Sequence, residues 1–230
     1  FPGLLLAYFP VGSYLKLSPA KLAAGAVPLL LGLCLGSGLL CYHFGISTAF
    51  SVLLITLTAI FLYRRTLRIS LWKSGTIALA VCAVFACLNS LSRADGTAIE
   101  IRMQLPPDTP WFCYGACIFY TAVCWLITAA AYYPATHAVR AMVEDDNFAQ
   151  TWYVFWVLPL VFILLNLFIT PRYQITLRTG RVLQGYIVMS IALSFLLFMF
   201  NAIFLLMANS LNKNARLQQE NQFLSMQQQR

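Results

Sequence analysis

The sequence predicts an all-α fold: a polytopic transmembrane helix bundle followed by a C-terminal cytoplasmic helix. Two observations carry this prediction. Hydrophobic residues make up 60% of the 230 residues and charged residues only 10%, whereas an average soluble domain has about 25% charged residues. In addition, several stretches of roughly 18–25 residues carry no charge, so they are long enough to cross a hydrocarbon core of about 30 Å as helices.

The apolar residues fall into about seven segments, which we interpret as membrane spans. The first is only partial, because it is too short to cross the bilayer and looks like the end of a longer helix. The long connection at 92–110 contains Pro106, Pro107 and Pro110, so it is predicted to be extended rather than helical. The segments are 1–15 (partial), 22–42, 46–63, 74–91, 111–133, 151–169 and 182–208.

The basic residues predict how these spans are oriented. With the C-terminal helix placed in the cytoplasm, the connections on that side carry ten Lys and Arg residues and those on the other side carry five. The 63–73 connection alone contributes Arg64, Arg65, Arg68 and Lys73. Because Lys and Arg concentrate on the cytoplasmic side of membranes, the N-terminus is predicted outside and the C-terminus inside.

The chain divides into a membrane bundle, 1–208, and the start of a cytoplasmic coiled-coil connector, 209–230. No Pro or Gly occurs between Gly185 and Arg230, so one helix is predicted to continue from the last span into water. Polar residues at one of its seam positions make a weak coiled coil, which specifies register at a cost in stability. The alternative is a solvated amphipathic helix that ends without a partner. The predicted relay and dimer seam consists of Asn201, Met207, Asn214, Leu217, Asn221 and Leu224.

The end of the chain resembles a known connector. The stretch 214–230 reads NARLQQENQFLSMQQQR and is similar to the connector before the phosphoacceptor helix of membrane sensor histidine kinases with a GHKL-type ATPase domain. These are the Agr-like kinases of Firmicutes. The pieces YPATH at 133–137 and TWYVFWVLP at 151–159 also resemble sensor regions of that group. Neither His43 nor His137 stands in a phosphoacceptor context, so neither inherits that role.

The resemblance implies a signal-sensing input domain, with no catalytic residues of its own and no cofactor. A kinase domain that uses ATP and Mg would follow Arg230. The implied partners are the lipid bilayer, a second copy of the chain, an extracellular signal, and a response regulator reached through the kinase domain. No nucleic-acid partner is expected. The implied location is the bacterial plasma membrane.

Three arginines predicted outside form the candidate ligand site. Arg172, Arg178 and Arg181 lie between the last two spans, where a guanidinium can grip a carboxylate with two hydrogen bonds. Together with Asn166, they are predicted to bind a peptide or another anionic signal. The alternative is that these arginines extend to lipid phosphates.

Polar and small residues within the spans predict helix packing. Ser190, Ser194 and Asn201 share one face of the last span, and such groups seek partners across helices. Gly25, Gly32 and Gly36 share a face of the second span, which predicts a packing seam within the bundle or between protomers.

No acid or base lies deep within a predicted span, which weakens the main alternative function. That alternative is a multi-span transporter or channel with a short cytoplasmic helical tail. It is weakened because ion-coupled transporters usually carry ionisable groups within their spans. The seven cysteines are interpreted as packing residues. No metal site is predicted, since the two histidines are far apart in sequence and no CxxC occurs.

Overall fold

The computed structural model describes residues 2–44, 48–106, 110–144, 152–170 and 174–228. Within these ranges the chain is helical and forms no strand, which confirms the all-α class. Two 3₁₀ segments, Phe9–Tyr14 and Gln174–Arg178, and one π-helical turn, Ala135–Val139, complete the secondary structure. The α-helices are α1 (Pro2–Tyr8), α2 (Pro19–Phe44), α3 (Thr48–Thr66), α4 (Leu71–Arg102), α5 (Pro110–Ala130), α6 (Tyr132–Pro134), α7 (Arg140–Glu144), α8 (Trp152–Phe155), α9 (Val157–Ile169) and α10 (Gly180–Gln228).

Four of these helices are long and apolar enough to cross a membrane, which makes this a helical membrane protein. They coincide with the predicted segments 22–42, 74–91, 111–133 and 182–208. The other three predicted segments lie at α1, at α3, and at the interrupted pair α8 and α9. Since α9 has 13 residues, it is about 20 Å long and shorter than the hydrocarbon core. The total of seven spans therefore stays a prediction.

The central element is α4, which contacts α1, α3, α5, α8, α9 and α10. Its buried positions include Ala78, Ala83, Ser90 and Ala94. Small side chains like these allow neighbouring helix backbones to approach closely, which is the usual basis of helix association in a membrane. The position of α4 thus follows from residues that leave room for several neighbours.

The prediction of an extended connection at 92–110 is wrong for its first half. The helix α4 continues to Arg102, because the prolines that stop a helix stand only at Pro106 and beyond. Ala94, Thr97 and Glu100 follow at three-residue spacing, and all three are buried. The face formed by these three residues therefore packs against the bundle. The chain turns away at Gln104, whose φ is 53°.

The last helix, α10, runs antiparallel to α4. Ala94 packs with Tyr186 at one end of the pair, whereas Ala83 packs with Leu193 and Leu197 further along. The residue numbers of the contact partners thus fall along α4 as they rise along α10. A third helix, α9, completes this core through Phe162.

Candidate functional site

The predicted unbroken helix at the C-terminal end is confirmed: α10 contains 49 residues and is about 74 Å long. Its first half buries Leu183, Tyr186, Ser190, Leu193 and Leu197 against the bundle. Their spacing of three or four residues makes a single stripe along one helix face. A helix held by one stripe is positioned by its neighbours but is not enclosed by them.

A polar contact joins α4 and α9 beside this stripe. The Ser90 hydroxyl donates a hydrogen bond of 2.8 Å to the Asn166 carboxamide oxygen, and both residues are buried. The Asn166 amide nitrogen also lies 3.8 Å from Cys87 Sγ. Asn166, a predicted ligand-binding residue, is therefore engaged in an interhelical hydrogen bond here.

Two buried polar atoms of α10 are left without a partner among the described residues. They are the Tyr186 hydroxyl and Ser190 Oγ. Unpaired polar groups cost free energy in an apolar interior. The contact face of α10 is therefore not fully hydrogen-bonded among the described residues.

The entry to α10 is fixed by one of the predicted arginines. Arg178 Nη2 lies 3.4 Å from Glu100 Oε2 and donates a 2.9 Å hydrogen bond to the Leu105 carbonyl oxygen. The Glu100 carboxylate is the more buried partner, since 6% of its side chain is exposed against 28% for Arg178. Arg178 is thus already paired with a carboxylate of the same chain. Arg181 belongs to the first turn of α10, and Arg172 lies outside the described residues.

Sequence reasoning missed Glu100 as a partner of this arginine. It lay in a segment interpreted as an extended loop, where an acidic residue is normally solvated. The available signal was the three-residue spacing of Ala94, Thr97 and Glu100 ahead of the first proline. That spacing predicts one helix face, and an acid on a buried helix face needs a cationic partner.

Aromatic side chains surround α10 where it leaves the bundle. Phe204 packs edge-on against Phe155 with ring centroids 4.9 Å apart. Trp152, which is 1% exposed, packs against Phe155 and belongs to the buried cluster that Phe204 borders. From Leu206 onward, every α10 side chain that the structure describes is exposed.

The predicted seam residues fall on both sides of this exit. Asn201 is half-buried, and its amide nitrogen donates a 2.8 Å hydrogen bond to the Leu197 carbonyl oxygen of its own helix. Met207 and Leu217 are 60% and 48% exposed, and Asn214 and Asn221 are also exposed. The side chain of Leu224 lies outside the described part. The exposed apolar groups leave an unpaired face on the connector.

The glycine seam of α2 is open in this chain. A Cβ atom added at Gly25, Gly32 or Gly36 would meet no heavy atom within 4 Å. The helix instead buries Ala26, Leu30 and Ser37, and its main neighbour is α3. Of the two predicted uses, packing within the bundle finds no support among the described residues, and packing between protomers stays a prediction.

Two apolar cavities lie on either side of α4. One, of about 500 Å³, is lined by α1, α2, α3, α4 and α5 and includes Tyr63 and Tyr120 in its lining. The other, of about 580 Å³, extends along α10 from Ser194 to Leu205 and is also lined by Trp152. A change of packing at the second cavity would directly involve the half of α10 nearest its exit.

No protein-family model, curated protein or solved structure matches this chain. The likeness to Agr-like sensor kinases therefore rests on the residues quoted above. Among the described residues, no cluster of His, Cys, Asp or Glu has metal-binding geometry.

Proposed function

We propose that this chain is the signal-sensing membrane input domain of a two-component sensor histidine kinase. The observation that carries the proposal is α10, one helix from Gly180 to Gln228. Its first half packs on the bundle, and its second half extends about 36 Å beyond Phe204. Because no helix breaker intervenes, a shift or rotation at the bundle is passed to the connector along one continuous helix.

In this proposal, α10 has two packings against α4 and α9. An extracellular signal favours one of them by binding it more tightly, since a ligand shifts an equilibrium only through its difference in affinity for the two states. The unpaired hydroxyl groups of Tyr186 and Ser190 support this proposal, because they cost free energy in the packing observed and so reduce its advantage over a second packing. The bundle is oriented with its N-terminus outside and its C-terminus in the bacterial cytoplasm.

The second half of α10 pairs with that of another copy of the chain. The exposed Leu217 and the polar Asn214 and Asn221 then alternate along one weak seam. Polar seam residues keep register specific while lowering stability, so such a rod can change its pairing. The kinase domain, with ATP and Mg, would receive this change at the end of the rod.

The gene sequence that follows Arg230 provides the first test. We expect it to encode a helix with a phosphoacceptor histidine and then an Asn- and Gly-rich ATP-binding domain. A stop codon within a few residues would contradict the kinase assignment and favour the transporter or channel.

Cysteine crosslinking in membranes tests the rod. We expect Leu217→Cys and Leu224→Cys to give crosslinked dimers, and Gln218→Cys, one residue off the seam, to give few. The unsubstituted chain sets the background, because it has seven cysteines of its own. Equal crosslinking at Leu217 and Gln218 would refute a paired seam.

A further inference from the structure

The end of the bundle where α3 stops and α4 begins carries a group of basic residues held in a fixed position. An isolated antiparallel bridge joins Leu15 to Leu67. Next to it, the Lys16 amide donates to the Thr66 carbonyl oxygen at 2.9 Å, and the Arg68 amide donates to the Tyr14 carbonyl oxygen at 2.9 Å. Leu67 is only 1% exposed. The backbone beneath Lys16 and Arg68 is therefore anchored in the core.

Several cations at this end are already used by the protein itself. Arg64 donates to the Ile69 carbonyl oxygen at 2.6 Å, and Lys73 donates to the Val143 carbonyl oxygen at 2.6 Å. Arg140 forms an ion pair with Glu144 at 2.8 Å. The Arg64 and Lys73 hydrogen bonds tie the segments of this end together, whereas the Arg140–Glu144 pair lies within α7.

Of the other exposed cations at this end, Lys21 lies in the first turn of α2, whereas Lys16, Arg65 and Arg68 lie next to the Leu15–Leu67 bridge. The Lys16 ammonium donates a 3.1 Å hydrogen bond to the Arg65 carbonyl oxygen, which brings the side chain of Lys16 to the end of α3. The two ion pairs found among the described residues, Arg140–Glu144 and Arg178–Glu100, involve none of the three. Three basic residues are therefore neighbours along the backbone at this end, and none of them forms an ion pair with a carboxylate among the described residues.

The depth of this group in the membrane identifies the complementary charge. The apolar spans of α2 and α4 begin at Pro19 and Leu71, directly beside it in sequence. Trp72 and Trp156 pack with ring centroids 6.1 Å apart, and Trp72 is 48% exposed. Exposed tryptophans at span ends mark the headgroup level. The anion available at that level is a lipid phosphate.

We infer that Lys16, Arg65 and Arg68 form a binding site for the phosphate of an anionic phospholipid headgroup. A guanidinium can donate two parallel hydrogen bonds to phosphate oxygens, and the ammonium of Lys16 adds a third positive contact. Each basic residue near an anionic leaflet contributes a free energy equivalent to about a fivefold gain in affinity. The site is independent of the signal and of any kinase domain.

Lipid binding to the full chain tests this inference. The purified chain is titrated with phosphatidylglycerol and, separately, with phosphatidylcholine, and bound lipid is counted by native mass spectrometry. We expect the double variant Arg65→Gln with Arg68→Gln to bind phosphatidylglycerol roughly twentyfold more weakly. Its binding of phosphatidylcholine should stay the same.

A matched control removes two charges from the opposite end of α4. The variant Arg93→Gln with Arg102→Gln has the same net charge and is expected to bind phosphatidylglycerol like the unsubstituted chain. Equal loss in both variants would overturn the site, because total charge alone would then explain the binding. Inorganic phosphate is added as a competitor. If it displaces the lipid at equal concentration, the site binds soluble anions and the lipid assignment is wrong.

A charge-retaining variant tests whether weaker lipid binding comes from the lost charges or from loss of structure. Arg65→Lys with Arg68→Lys is expected to keep most of the binding while losing the two-bond contact, with a severalfold weaker affinity. If the glutamine variant loses helical circular dichroism, the exposed Lys16→Gln replaces it, with an expected loss of about fivefold. Unchanged binding in that variant would overturn the assignment.

Discussion

The two halves of α10 belong to one helix but are stabilised in different ways. Between Leu183 and Phe204 each turn places a side chain against α4, α9 or the aromatic exit cluster. From Leu206 onward the described side chains are exposed. A helix that depends on propensity alone, without packing, is only marginally stable. The difference means that the first half determines where the helix lies and the second half is free to take a partner.

Matched proline substitutions in the two halves are expected to have the largest effects. Proline inside a helix costs about 3 kcal/mol or more. At Ser190, which is 1% exposed, the ring also meets packed neighbours, so Ser190→Pro should abolish the folded bundle. Ser210→Pro should leave the bundle's thermal unfolding unchanged and remove crosslinking at Leu217→Cys. Circular dichroism against temperature measures the unfolding of both variants. Equal destabilisation by the two prolines would contradict the division of α10.

Removal of the cation at the entry to α10 is expected to have the next largest effect. Arg178→Gln leaves the buried Glu100 without its ionic partner. Because Arg178 is partly exposed and the ion-pair distance is 3.4 Å, we expect a loss of about 1–3 kcal/mol in the free energy of unfolding. The control Arg102→Gln changes an exposed arginine and should stay within about 0.5 kcal/mol.

A double-variant cycle separates the pair from general destabilisation. Adding Glu100→Gln to Arg178→Gln should recover part of the lost stability, because no unpaired charge then remains. If the two losses simply add, Glu100 and Arg178 do not interact in the folded protein.

The hydrogen bond between α4 and α9 is expected to contribute less. Asn166→Leu removes the partner of Ser90 and should cost about 0.6–2 kcal/mol in the free energy of unfolding. Asn89→Leu is the matched control, since Asn89 is exposed on α4 next to Ser90. Thermal unfolding in detergent measures both, and an equal effect would show that the contact is not specific.

The smallest effect on the bundle is expected in the connector. Asn214→Leu replaces an exposed polar seam residue and should change the free energy of unfolding of the bundle by less than about 0.5 kcal/mol. It should nevertheless increase crosslinking at Leu217→Cys, because an apolar seam pairs more tightly. Gln218→Leu, off the seam, should not do so. Increased crosslinking in both variants would indicate non-specific association.

Composition and helix-breaking residues were enough to predict the all-α membrane class and the continuity of α10. Charge-free runs require helices in a bilayer, and the absence of Pro and Gly after Gly185 left nothing to interrupt the last one. The end of α4 was predicted wrongly, because the prolines at 106–110 do not break the helix at residues 92–102, which lie before them. Those residues follow a buried helical face instead.

The sequence by itself determined that the chain enters a membrane, that it does so as helices, and that the last helix continues without a break beyond its apolar part. These properties follow from local chemistry: hydropathy, helix propensity and the positions of Pro and Gly. Only the tertiary structure decided which polar groups meet. Ser90 and Asn166 are 76 residues apart and Glu100 and Arg178 are 78 apart, so their pairing depends on how α4, α9 and α10 pack. That packing turns Arg178 from a free charge into a fixed contact at the start of α10.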